Sequence, residues 1–266
     1  MTSAQPVLFV PHGAPTFALR PGAAGAALVA TANALSRPRA IVIISAHWDT
    51  ATPTVGFADR PATIHDFWGF PEELYALHYP ATGCREAAQQ VVAAIQSAGL
   101  PVQTDPQRGL DHGAWIPLRL MFPDADIPVI PLSIQSQGGS EAAWQLGQTL
   151  APLTAQGFLV IASGNMTHNL RDFQTASRQG GQTPGYVLEF SDWIADRLTA
   201  CDIPALLDYR RQAPGAVQAH PTDEHLLPLY VALGAAGDPA RIERFHTGID
   251  DHVIAMDAYA FLPNTK

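Results

Sequence analysis

The sequence predicts an α/β layered fold, on three observations. Short apolar, largely β-branched runs recur along the chain: VLFV at Val7–Val10, AIVIIS at Ala40–Ser45 and FLVIAS at Phe158–Ser163. Each is apolar on consecutive residues, as a strand buried on both faces must be. Between them lie stretches of helical spacing, and strands alternating with helices build layered sheets. The chain has 266 residues and no internal repeat, so one core suffices and residues 1–266 are read as a single catalytic domain.

Taken in order, Val7–Val10 is a strand stopped by Pro11, and Ala23–Leu35 is an Ala/Leu-rich helix ending before Pro38. Ala40–Ser45 is the strongest strand. Pro71–Tyr79 reads as a short helix entered through proline, and Arg85–Ala98 as a helix stopped by Gly99. Pro101–Thr104 is a candidate strand, Gly113–Met121 a helix and Ile127–Ile134 a further strand. Glu141–Leu153 is a helix with an acid in its first turn, followed by the strand Phe158–Ser163. Tyr186–Thr199 is an amphipathic helix with Trp193 and Ile194 on its apolar side. Leu206–Arg211 is a candidate helix, His225–Gly234 a helix and Val253–Ala258 a last strand. The Gly-rich stretch Arg178–Pro184 is either a mobile loop near a site or a plain surface connection.

Charge and composition narrow the function. A formal charge of −9, with no basic stripe, disfavours nucleic acid as a partner. No run approaches the roughly 18 apolar residues of a membrane span, and the N-terminus lacks the basic and apolar regions of a signal peptide. Cys84 and Cys201 are read as reduced thiols. A soluble, cytoplasmic protein is expected, with a homo-oligomer left open.

The chemistry-bearing residues are histidines. His12 follows the first strand in a Gly/Pro turn, where its ring is expected to stay accessible. His47 follows the second strand and His168 the Phe158–Ser163 strand, where Asn165 and Asn169 are placed to orient a ring. His112 follows Asp111, a helix N-cap candidate. His225 lies in Pro221-Thr222-Asp223-Glu224-His225, where Thr222 is a cap candidate and His225 would point from the first helical turn. Ligands of α/β folds gather beyond the carboxyl ends of strands, so several imidazoles at such ends point to a metal. Imidazole suits zinc, iron, copper and nickel alike. There is no CxxC, HExxH, GxSxG or P-loop. On spacing alone the metal and the reaction stay open.

The segments around these residues are His12-Gly13-Ala14-Pro15, Ser45-Ala46-His47-Trp48, Ile64-His65-Asp66-Phe67-Trp68-Gly69-Phe70-Pro71 and Leu110-Asp111-His112-Gly113. They continue with Ser163-Gly164-Asn165, His168-Asn169-Leu170-Arg171 and Pro221 to His225. In these segments, and in their order, the chain resembles the LigB-type (class III) extradiol ring-cleavage dioxygenases, in the 4,5-DOPA dioxygenase extradiol branch. The resemblance implies a three-layer α/β/α sandwich around a mainly parallel or mixed sheet. It implies a metal held by His12, His47 and His225, with His168 as acid/base and His112 as a second substrate-side histidine. It also implies Fe(II) for activity, with Zn(II) in some members, and a small catecholic substrate with O2. Glu224 is the alternative donor to His225, and His220 is either a group behind the site or a surface residue. Trp48, Phe67, Trp68, Phe70 and Trp115 either wall an aromatic pocket or belong to the ordinary core. Two further readings stay open, a zinc hydrolase on the same three histidines and a non-enzymatic binding protein.

Overall fold

The computed structural model describes residues 4–179, 181–237 and 241–263. The first half of the chain forms β1 (Val7–Pro11), α1 (Gly22–Ala34), β2 (Ala40–Asp49), β3 (Thr54–Gly56), α2 (Glu72–Tyr75), α3 (Arg85–Ser97) and β4 (Gln103–Asp105). It continues with α4 (His112–Met121), β5 (Val129–Ile134), α5 (Gly139–Thr154), β6 (Phe158–Gly164), α6 (Leu170–Gln179) and α7 (Gly185–Thr199). Then come α8 (Ile203–Leu207), α9 (Tyr209–Gln212), α10 (Ala216–Ala219), α11 (Leu227–Ala236), β7 (Arg241–His246), β8 (Ile249–Asp250), β9 (Ile254–Ala255) and β10 (Ala258–Leu262).

Eight strands form one mixed sheet in the order β4-β3-β5-β2-β6-β1-β10-β7. Its centre is parallel, with β6 between β1 and β2 and β5 beyond β2. Side chains of a strand alternate between faces, and both faces are covered. Val7, Phe9, Val42 and Ile44 join one core with residues of α3, α5, α7 and α11. Leu8, Val10, Ile41 and Ile43 join the other with residues of α1 and α4. The result is the helix–sheet–helix sandwich expected, and the double burial explains why the runs are apolar without interruption.

Several boundaries differ from the sequence reading. β2 runs four residues beyond Ser45. Its pairing with β5 passes from Ile44–Leu132 directly to Asp49–Ile134, so Ser45–Trp48 stand opposite Ser133 alone. This bulge takes Ala46–Trp48, the stretch that carries His47, out of the β5 ladder, while Ser45 stays paired with Ser163 of β6. The helix expected over Pro71–Tyr79 is only Glu72–Tyr75; Tyr79 instead donates its N–H to Thr63 Oγ1 at 2.9 Å. The expected Leu206–Arg211 helix is two short helices divided at Asp208. The last strand candidate also splits. Ile254–Ala255 pairs with β8, while Ala258–Leu262 pairs with β1. Between them Met256 bonds Gly248 and Asp257 takes a 2.6 Å hydrogen bond from Arg244 Nε. β3, β7, β8, α6 and α10 have no counterpart in the sequence reading. Of Arg178–Pro184, residues 178 and 179 end α6, 181–184 lead into α7, and 180 lies outside the described residues. Both cysteines are free. Among the described residues no helix is long and apolar enough to cross a membrane.

α11 is buried along its whole length and crosses α5 where Gly147 meets Gly234. A Cβ on Gly234 would lie 2.1 Å from the Trp144 carbonyl oxygen, and one on Gly147 2.2 Å from that of Val231. Backbone cannot yield as a side chain does, so Gly234→Ala is expected to cost roughly 1–3 kcal/mol by overpacking. A chemical-denaturation midpoint at or above wild type would contradict this close crossing.

Candidate metal centre

Three strand ends and one turn build the site. His12 leaves β1 fully buried, with its N–H on the Gly164 carbonyl at 3.2 Å. The strands carrying His12 and His47 are not neighbours, because β6 lies between them. β6 supplies the link. Ser163 donates its hydroxyl to the Gly113 carbonyl and therefore accepts from His12 Nδ1, 3.0 Å away. The proton of His12 is fixed on Nδ1, and its Nε2 presents a lone pair.

The other rings are set in the same way. His225 places Nδ1 3.2 Å from the Glu224 carboxylate, and His47 places Nδ1 3.6 Å from Asp66 Oδ2. With the outer nitrogens of His12 and His225 on acceptors and that of His47 facing a carboxylate, the inner ones approach: His47 Nε2 is 3.2 Å from His12 Nε2 and 3.2 Å from His225 Nε2. One donor, the Asn165 side-chain amide, reaches to 3.4 Å from His12 Nε2. Lone pairs facing lone pairs repel unless a cation lies among them. Two nitrogens at right or tetrahedral angles, each about 2.1 Å from a common ion, lie roughly 3.0–3.4 Å apart, so this donor set fits a divalent metal.

Burial holds the rings in the form a metal needs. It pushes His12 and His225 well below the ordinary imidazole pKa, with neighbouring imidazoles adding to the effect. His47 is lowered to about 3 by burial and His112, against the pull of Asp66. All three are neutral at pH 7, as ligation requires.

His112 and His168 complete the cluster. His112 donates both its backbone N–H and Nδ1 to Asp66 Oδ1, at 2.8 and 3.0 Å, with its ring centroid 4.0 Å from that of His47. His168 stacks on His225, with centroids 3.4 Å apart and planes 10° from parallel. Its backbone N–H bonds the Ala219 carbonyl at 2.8 Å. By proximity, ligand atoms of His12, His47 and His112 lie within 4.8 Å of one another, as do those of His168, Glu224 and His225. The 3.2 Å convergence runs across these two sets, through His12, His47 and His225.

Several sequence expectations are modified. His12 is sealed from solvent rather than accessible, since Met256 and Phe17 crowd the adjacent Gly13. His225 precedes α11 rather than projecting from its first turn, and Thr222 bonds Glu224 instead of capping a helix. His220 is buried, with Nε2 on the Met166 carbonyl at 2.9 Å, so the surface alternative falls. Asp111 caps α4 as expected and also accepts from Ser45 and Arg108. Asn165 bonds Gly13 and Asn169 caps α6. Trp115 is core, with its indole N–H on Ile64 O, and Trp48 is buried beneath Arg108. Phe67 packs on His112, whereas Trp68 is exposed.

A mixed α/β sandwich with an imidazole cluster beyond its parallel strands defines a histidine-ligated metal protein. Comparison with known proteins makes the class specific. Residues 24–255 match the family model described as the catalytic LigB subunit of aromatic ring-opening dioxygenase. The chain is 42% identical over 226 residues to a 4,5-DOPA dioxygenase extradiol of Beta vulgaris, covering 85% of this chain and 83% of the relative. It is 40% identical over 238 residues to the protein of that name from Escherichia coli K12, covering 87% and 85%. An uncharacterized Escherichia coli K12 protein of known structure superposes with a TM-score of 0.80 at 31% identity, covering 97% of this chain and 99% of that one. The chain belongs to the LigB family of aromatic ring-opening dioxygenases.

Ser163→Ala removes the acceptor that fixes the His12 tautomer. Metal affinity is expected to fall about 10–100-fold with the fold retained. Competition with a chromogenic chelator measures it, and wild-type affinity would show that His12 needs no such partner.

Proposed function

We propose that the protein opens a catecholic, DOPA-like ring beside its diol with dioxygen as co-substrate. The metal is a non-haem Fe(II) held by His12, His47 and His225. The carrying observation is that His47 Nε2 lies 3.2 Å from both His12 Nε2 and His225 Nε2. The substrate class follows the names of the relatives, 4,5-DOPA dioxygenase extradiol, which cover most of this chain. In this proposal residues 1–266 act as one cytoplasmic catalytic domain, and Zn(II) is a second occupant of the same three nitrogens.

When bound, iron supplies the one-electron chemistry that lets dioxygen react with a closed-shell catechol. The chain's residues supply the proton handling. His168 is lowered to about 4, chiefly by burial and then by His112, so it is unprotonated at neutral pH and fit to take a proton from a catechol hydroxyl. It is poorly placed as a ligand. A metal lies in the plane of the ring that binds it, and the His168 plane is stacked about 3.4 Å from that of His225. His112 is held through Nδ1 by Asp66, leaving Nε2 for a substrate oxygen. Asp66 also faces His47, so one carboxylate sets the spacing between a ligand ring and a substrate-side ring.

After anaerobic loading with Fe(II), oxygen uptake is expected with L-DOPA or a related catechol, together with a yellow ring-opened product. Absence of uptake across a catechol panel with iron bound would refute the function. His168→Ala is expected to keep its metal while turnover falls roughly 10²–10⁴-fold; full turnover in that variant would remove the acid/base role alone.

A further inference from the structure

Among the described residues five large hydrophobic side chains are exposed: Val29, Trp68, Leu170, Leu188 and Val217. Isolated exposed hydrophobics are ordinary. Two of these are not isolated from the imidazole site. Trp68 is two residues from Asp66, whose carboxylate faces His47 and His112. Leu170 is two residues from His168. Two residues of chain span at most about 7 Å, so the backbones of Trp68 and Leu170 lie within one substrate length of Asp66 and His168.

The site is open on the Trp68 side. The side chains of His47 and Asp66 are 23% and 25% exposed, against 5% for His225. The segment bearing Trp68 is held from behind by its neighbours. Phe67 is buried against His112, and Phe70 packs on Phe67 with centroids 5.5 Å apart. Gly69, at φ +76 with nothing near its absent Cβ, makes the turn between Trp68 and Phe70. Trp68 is thus an indole on an anchored loop, 86% exposed beside a site for an aromatic ring.

We propose that Trp68, with Leu170, forms an apolar rim that takes the flat face of a substrate's aromatic ring as its diol reaches the imidazoles. The inference rests on the ring-opening function above and adds the residue that selects planar aromatic diols over aliphatic ones. Aromatic stacking of this kind changes affinity roughly 2–10-fold.

The test uses the full chain loaded with Zn(II), which binds without turnover, titrated with catechol in a calorimeter. Trp68→Ala is expected to raise the dissociation constant about 3–10-fold, and Trp68→Phe to restore most of the affinity. With iron, the Trp68→Ala KM should rise more than kcat falls. Unchanged affinity in Trp68→Ala, with wild-type binding and turnover intact, overturns the rim alone. Failure of the wild-type zinc form to bind any catechol overturns both the rim and the function it rests on. Unchanged affinity with a smaller sedimenting species for Trp68→Ala also overturns it, showing the indole to be a contact between copies of this chain.

Discussion

Two imidazole nitrogens, those of His12 and His225, each held 3.2 Å from a third on His47, govern the architecture of this edge of the sheet. Such an arrangement is repulsive unless each ring is committed through its other nitrogen and a cation is accepted in the middle. The surrounding groups meet that requirement. Ser163 accepts a hydrogen bond from His12 and Glu224 one from His225, and Asp66 stands beside His47. Burial then keeps the rings neutral, because charging them would place several positive centres in one desolvated space.

The sheet order makes this possible. β6 between β1 and β2 places Ser163 level with Val10 on one side and Ser45 on the other. Beyond the end of β6, the backbone before α11 closes directly onto the strand, with Asn165 N–H bonding the His225 carbonyl at 3.0 Å. A Cβ at Gly164 would stand 2.2 Å from that oxygen, so glycine is what allows the His225 turn to reach the strand ends.

The central strands were legible because burial on both faces leaves an uninterrupted apolar record in the sequence, as at Ala40–Ser45 and Phe158–Ser163. β7 was not, since Arg241–His246 forms an edge with charged residues interleaved and gives no such record. α6 begins on a polar cap and is polar on average, so the apolar period of Leu170, Phe173 and Ala176 within a ten-residue helix was overlooked in the sequence. The five histidines were visible by residue type, His12, His47 and His168 also by position after strands and His112 and His225 by position in polar turns ahead of helices. Their orienting partners were not. Ser163 acts on a residue 151 positions away, and a serine ending a strand looks the same whether or not a ring faces it. Asp66 lies in one of the segments that carry the resemblance, but its place between two imidazoles follows only from the folding of the 57–71 segment back against α4.

The bulge at Ser45–Trp48 has a consequence for how this centre can vary. The ladder is pinned on both sides of it, at Ile44–Leu132 and at Asp49–Ile134. A change in the length of the segment between those pins is therefore absorbed locally and does not slip the register of the strand, which elsewhere would turn every side chain to the opposite face. His47 rides on this slack. The direction from which one imidazole approaches is set by the bulged end of β2 rather than by the regular ladder, so the geometry at the centre and the rigidity of the sheet can vary separately.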